Sequence, residues 1–227
     1  MTERSLAIVA GAGPGLGHAL LRRFEEGGMQ AVGLVRNVPD DKAGMDIRCC
    51  DLSDVTASKR TIFDLIHELG PPEIVVHNPS NLIISPFLEL DLDAFEASWR
   101  SMVLTAAVLG QLVIPSMVQN GGGALIVSGA TASLRGGARF AALASPKFAL
   151  RGLTQSLARE FQPAGIHVIH AILDGIIDTD RSRSKHGLDP AKMMRPADIA
   201  DAYWHLAHQP ASAWSHEVDL RPQSETF

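Results

Sequence analysis

Along this chain, short unbroken runs of aliphatic residues alternate with longer stretches whose apolar positions recur every three or four residues. The short runs predict strands at Leu6–Ala10, Ala31–Val35, Ile47–Cys50, Ile74–His77, Ala124–Ser128, Ile166–Leu173 and Val218–Leu220. Continuous apolarity, rather than alternation, marks strands buried on both faces, as in a parallel sheet. The helical period predicts Leu16–Gly27, Val55–Leu69, a long helix over Leu92–Gln119, Ala142–Phe161 and Pro196–His208. Pro196 in the first turn of the last helix, with Asp198 near its positive end, supports that start. Strands alternating with helices define an α/β protein: a single Rossmann-type, doubly wound domain over residues 1–227, with a seven-stranded, mostly parallel sheet and helices on both faces.

Composition narrows the function classes. The 227 residues are 46% hydrophobic and 20% charged, enough for one well-buried core. A formal net charge of −5, with the Lys and Arg scattered along the chain, offers no electrostatic footprint for nucleic acid. The start, MTERSLAIVAG, lacks the basic-then-apolar layout of a signal peptide, so a cytoplasmic location is expected. Met102–Ile114 is interrupted by Thr105, Gly110 and Gln111 and is shorter than the roughly 20 residues of a membrane span, so it reads as a buried helix. No metal site is expected. Cys49 and Cys50 are adjacent, His167 and His170 point to opposite faces of one strand, and His205 and His208 share a helix face without a third ligand.

The first strand runs into AGAGPGLGHALLRRF, a turn carrying Gly11, Gly13, Gly15 and Gly17 that opens an amphipathic helix at Leu16. Glycines there allow a tight turn and close backbone approach to a pyrophosphate, and the helix N-terminus offers free N–H groups to its oxygens. A strand before and a helix after are the context that distinguishes a dinucleotide site from an ordinary turn. The second strand ends GLVRN, with Arg36 and Asn37 where an acidic residue would hold a ribose 2′-hydroxyl. A guanidinium suits a 2′-phosphate, so NADP(H) is expected over NAD(H). Asp51 and Leu52, after the third strand, are expected at the adenine edge.

These features together resemble the short-chain dehydrogenase/reductase family over nearly the whole chain. Gly11, Gly15 and Gly17 match its glycine spacing. HNPS keeps Asn78 of its Asn-Asn-Ala-Gly segment, and KFALRGLTQSLAREFQPAGIHV from Lys147 is similar to the helix and strand after its active-site lysine. DGIIDT looks like its Pro-Gly-x-x-x-Thr segment beside the nicotinamide, with Asp174 in place of proline and with Ile177 and Thr179 toward the cofactor. The resemblance implies a tyrosine to exchange the substrate proton, a serine to hold the substrate oxygen, an asparagine for the proton relay, and a lysine to bind the nicotinamide ribose. Here those positions fall at Leu143, Ala130, Met102 and Lys147, so Lys147 alone is retained. Losing a general acid removes about 10²–10⁴-fold of rate.

Candidates for the lost chemistry are His77 at the carboxyl end of the fourth strand, Ser128 or Thr131 to hold an oxygen, and Asp174 with His170 from the sixth strand. DRSRSKHG, at the family's substrate lid, presents Arg181, Arg183 and Lys185 to an acidic substrate across an open or partly ordered cleft. The loss of three polar side chains suggests a small, hydrophobic substrate. Three functions stay open: an oxidoreductase with a replacement proton donor, a redox-silent NADP(H)-binding or partner-subunit protein, and a non-redox isomerase or cyclase. The family's habit of pairing the long helix and the lysine-bearing helix implies a homodimer or homotetramer, with Ala106, Ala107, Ala141, Ala142 and Ala144 allowing close approach.

Overall fold

A computed structural model describes residues 4–225. Seven strands form one sheet in the order β3-β2-β1-β4-β5-β6-β7, and every pairing is parallel. The strands are β1 (Leu6–Ala10), β2 (Gln30–Val35), β3 (Asp46–Cys49), β4 (Pro72–His77), β5 (Gly123–Ser128), β6 (Ile166–Leu173) and β7 (Glu217–Leu220). Only the edge strand β3 is shifted from its expected position. Its half-buried Arg48 is tied to Asp46 on the same strand and to Glu68, and polar residues on a sheet edge blur the apolar run.

Two helical layers cover the sheet. Helices α1 (Leu16–Glu26) and α7 (Pro196–Ala207) pack Leu20, Leu21, Phe24 and Tyr203 against Val9, Ile126 and Ile169. On the other face, α2 (Val55–Leu69), α4 (Thr105–Gln119) and α5 (Ala141–Phe161) pack Ile62, Leu65, Val113 and Met117 against Ile8, Val75, Leu125 and Val168. Neighbouring strand residues thus serve opposite layers, each fully buried side chain contributing about 1.5–3 kcal/mol. Chain order reverses between β1 and β4, so a crevice opens at their carboxyl ends, where Asn78 Nδ2 donates to Gly11 O at 3.2 Å.

The long helix is not continuous. It comprises α3 (Leu92–Trp99), a π-helical turn at Arg100–Leu104, and α4. Ser101 Oγ donates to Ser98 O at 3.0 Å and Thr105 Oγ1 to Ser101 O at 2.7 Å, and such back-bonding hydroxyls compete with the regular ladder. Leu92–Gln119 is apolar and long enough to cross a membrane by composition, but Val108, Leu109, Val113 and Met117 are buried in this domain. The expected open lid over 180–187 is instead a short helix, α6 (Asp180–His186), whose first turn is capped by Thr179 Oγ1 accepting from Ser182 N. Its Arg183 forks onto Asp178 at 2.6 and 2.8 Å and is not poised as an anion clamp.

Helix α5 contains Pro146 immediately before Lys147. Proline has no N–H to give the carbonyl of Ala142, one turn earlier. Fully buried Ser98 on α3 supplies the donor instead, Oγ to Ala142 O at 2.9 Å. This bond pins α5 to α3 beside the retained lysine. Removing it leaves a buried carbonyl unsatisfied, so Ser98→Ala should cost about 1–3 kcal/mol. In a Pro146→Ala background, where the helix regains its own donor, the same change should cost less than about 1 kcal/mol. A double-mutant cycle by urea unfolding measures the difference.

Candidate active site

The glycine turn forms at the switch point. At Gly17 an added Cβ would lie 2.6 Å from Ala12 Cα, so only glycine lets α1 seat on the turn. Gly15 has φ +104 at the N-cap of α1 and faces Thr179 Cγ2, which would be 2.7 Å from a Cβ. The fold therefore brings Thr179, from beyond β6, onto the loop after β1. Gly13 differs, because a Cβ there would meet nothing within 4 Å. Leu16 and Leu52 turn their side chains into the core, while Arg36 and Asn37 are exposed just past β2. Asp51 Oδ1 accepts from Ser53 Oγ at 2.7 Å and Ser53 N at 3.0 Å. The Ser53 hydroxyl first, and Arg36 more weakly, hold the Asp51 carboxyl below its usual value. Ile177 bridges to Met194, setting the segment between Asp174 and Thr179.

Lys147 is 2% exposed and its Nζ donates to Ser128 O at 2.6 Å. Burial disfavours its charge and lowers its pKa to about 8. His77, Val127 and His170 lie in one row across β4, β5 and β6, on the face covered by α4 and α5. His77 Nε2 is 2.9 Å from Thr105 Oγ1, whose single proton goes to Ser101 O, so Nε2 carries the imidazole proton. Burial, reinforced by the Lys147 charge, lowers His77 to about 3 and His170 to about 4. Both imidazoles are neutral at pH 7, and His77 is not the near-neutral proton carrier expected from its place in the sequence.

Leu143 packs on the cluster formed by Met102, Val103, Ala106, Val127 and Leu150. The residues at the expected tyrosine and asparagine positions thus share one apolar cluster. The chain's single tyrosine, Tyr203, does not substitute. It is fully buried on α7, its hydroxyl 3.0 Å from Ser128 Oγ, and burial holds its phenol well above the ordinary range. Ser128 therefore presents its side chain to the α1/α7 layer and only its carbonyl to Lys147, away from the other candidates.

Thr131 and Asp174 do come together. Thr131 Oγ1 donates to Asp174 Oδ1, and Asp174 Oδ2 lies 3.2 Å from Arg221 Nη2. Arg221 also pairs with Asp219. Thr131, Leu134, Arg135, Asp174 and Arg221 line a cavity of about 140 Å³, which brings a hydroxyl, a carboxylate and two arginine residues to one place. Arg135 and Arg221 were not singled out from the sequence; a charged residue just past the last strand, at the ligand edge of the sheet, is the signal for Arg221. A larger cavity of about 500 Å³, lined by Met193, Met194, Ile199 and Leu220 among others, meets the first only at Arg221 and holds none of the expected site residues. Among the described residues no three His, Cys, Asp or Glu side chains cluster as metal ligands.

Comparison with known proteins places the fold in a family. The short chain dehydrogenase family model matches residues 5–187, and the chain belongs to the short-chain dehydrogenase/reductase family. L-xylulose reductase of Mesocricetus auratus is 28% identical over 193 residues, covering 82% of this chain and 77% of that protein. The crystal structure of a short-chain dehydrogenase from Rhodopseudomonas palustris is 32% identical with a TM-score of 0.81, covering 96% and 98% of the two chains. A metagenomic short-chain oxidoreductase in complex with NADP superposes with a TM-score of 0.81 at 23% identity, covering 96% and 97%.

The buried basic groups make stability depend on pH with a defined sign. The folded-state values of His77 and His170, about 3 and 4, lie below 6.5, so between these limits the unfolded chain binds more protons. Stability should fall as pH drops from 6.5 toward 4. For Lys147, lowered from 10.5 to about 8, it should rise as pH increases between those values. Melting temperatures across pH 4.5–10 check both limbs. His170→Asn should flatten the acid slope whatever it does to the absolute Tm.

Proposed function

We propose that this protein is an NADP(H)-dependent oxidoreductase that exchanges hydride with a small substrate at the carboxyl edge of β4, β5 and β6. One observation carries the reading: the close approach of Thr179, from beyond β6, to Gly15 in the glycine turn after β1, in a fold that also buries a sparsely engaged ammonium at Lys147. When bound, the nicotinamide ring supplies or accepts the hydride. Lys147 Nζ has N–H groups to spare beyond Ser128 O and can donate to the ribose hydroxyls. Arg36 stands exposed beside Asp51, suited to a 2′-phosphate, and Asn78 holds the glycine turn in place. The names of L-xylulose reductase and of the NADP complex support the same assignment. Exposed Trp99 on α3 and Phe148 on α5 favour pairing of two copies across these helices, which sedimentation would test.

The apolar packing of Leu143 on the Met102 cluster favours one second reading, a redox-silent NADP(H)-binding protein. Substrate-dependent NADPH oxidation across a panel of small carbonyls and alcohols separates the two; binding without any turnover would select the second.

Calorimetric titration with NADPH, NADP⁺, NADH and NAD⁺ tests the cofactor directly. Phosphorylated forms should bind more tightly, and Arg36→Glu should weaken NADPH by at least about tenfold, or about 1.4 kcal/mol. The glycines should divide by role. Gly13→Ala, with open space around the new methyl, should weaken all four ligands at unchanged Tm, whereas Gly17→Ala should lower the Tm itself.

A further inference from the structure

We infer that Thr131 and Asp174 form the proton-transfer pair of this enzyme, in place of the missing tyrosine and serine; the inference rests on the oxidoreductase reading above. Thr131 stands just past β5 and Asp174 just past β6, at the edge where the cofactor cradle opens. Thr131 Oγ1 spends its only proton on Asp174 Oδ1, so its remaining lone pairs are acceptors, and both residues line the small cavity. Asp174 Oδ2 lies 3.2 Å from Arg221 Nη2, and Arg221 also pairs with Asp219. His77 is engaged by Thr105 and Tyr203 faces the other layer, so neither competes for the role.

The pair as observed is set to receive a proton, which is the direction of alcohol oxidation. The C–H bond of a secondary alcohol breaks as its hydride passes to NADP⁺. The alcohol O–H proton moves to Thr131 Oγ1, the Thr131 proton moves to Asp174, and a ketone and NADPH result. Carbonyl reduction runs the same transfers backwards from protonated Asp174. Thr131 is the catalytic residue, since it touches the substrate oxygen; Asp174 acts through it.

The test uses the full-length protein with NADP⁺ and a panel of small neutral and carboxylate-bearing secondary alcohols, followed at 340 nm, with calorimetry for cofactor affinity. Thr131→Val and Asp174→Asn should each lower kcat about 10²–10⁴-fold, with NADP⁺ affinity within twofold of wild type, and Thr131→Ser should restore most of the rate. Because the two act as a unit, the double variant should be no slower than the worse single variant. Wild-type kcat in Thr131→Val, or a double variant slowed by the product of the single effects, overturns the pair while leaving the oxidoreductase reading intact. Absence of turnover by wild type that binds NADP⁺ overturns both.

Discussion

A charged amine buried against a strand carbonyl sets the terms for the rest of this molecule. Lys147 Nζ sits on Ser128 O at the end of β5, and desolvation is the largest influence on its ionisation. Such a group is usually steadied by a carboxylate, yet burial is the one cause behind the Lys147 shift, and its hydrogen-bond partner is a carbonyl. Burial first, and the Lys147 charge second, lower the pKa values of His77 and His170, so both imidazoles stay neutral rings rather than competing cations. Pro146 and Ser98 together lock the turn of α5 that carries the lysine.

The sheet divides the remaining chemistry. Ser128 and Tyr203 complete each other in the α1/α7 layer, Leu143 lies on the Met102 cluster in the α4/α5 layer, and Thr131 meets Asp174 at the open edge. Leucine and methionine together give an apolar contact, where a single polar side chain in that cluster would need a buried partner. Polar side chains meet instead at the strand ends, where a side chain can be wet on one side and anchored on the other.

Much of this was legible in the sequence, and the exceptions share causes. Strands buried on both faces announce themselves as continuous apolar runs, so β1 and β6 end where the pattern ends. The glycine turn is legible because its geometry is local. The π-helical turn at Arg100–Leu104 is not, since it arises from hydroxyls of Ser101 and Thr105 choosing carbonyls within an unbroken apolar pattern. Helix α6 has no buried residue and thus no periodicity to read. Thr131 and Asp174 were recognisable one at a time, but their pairing spans 43 residues and depends on β5 lying beside β6. The misplacement of Ser128 had a readable cause: Val127 and Ser128 must face opposite layers, so the row shared with His77 and His170 excludes it.

The parts of this site built from backbone and the parts built from side chains differ in how freely they can change. Nucleotide recognition here relies on backbone: the turn after β1, the free N–H groups opening α1, and the close seat of Gly17 on Ala12. Altering any of these disturbs the crossover that orders the sheet, so the cofactor cradle is tied to folding itself. Proton handling relies on side chains donated by separate elements, and each can change without moving a strand. A fold of this kind can therefore lose its tyrosine, serine and asparagine while keeping its cradle, and can recruit a hydroxyl and a carboxylate wherever two adjacent strand ends bring them within a hydrogen bond. The Thr131–Asp174 contact, just past the ends of β5 and β6, meets that condition and borders a cavity of about 140 Å³.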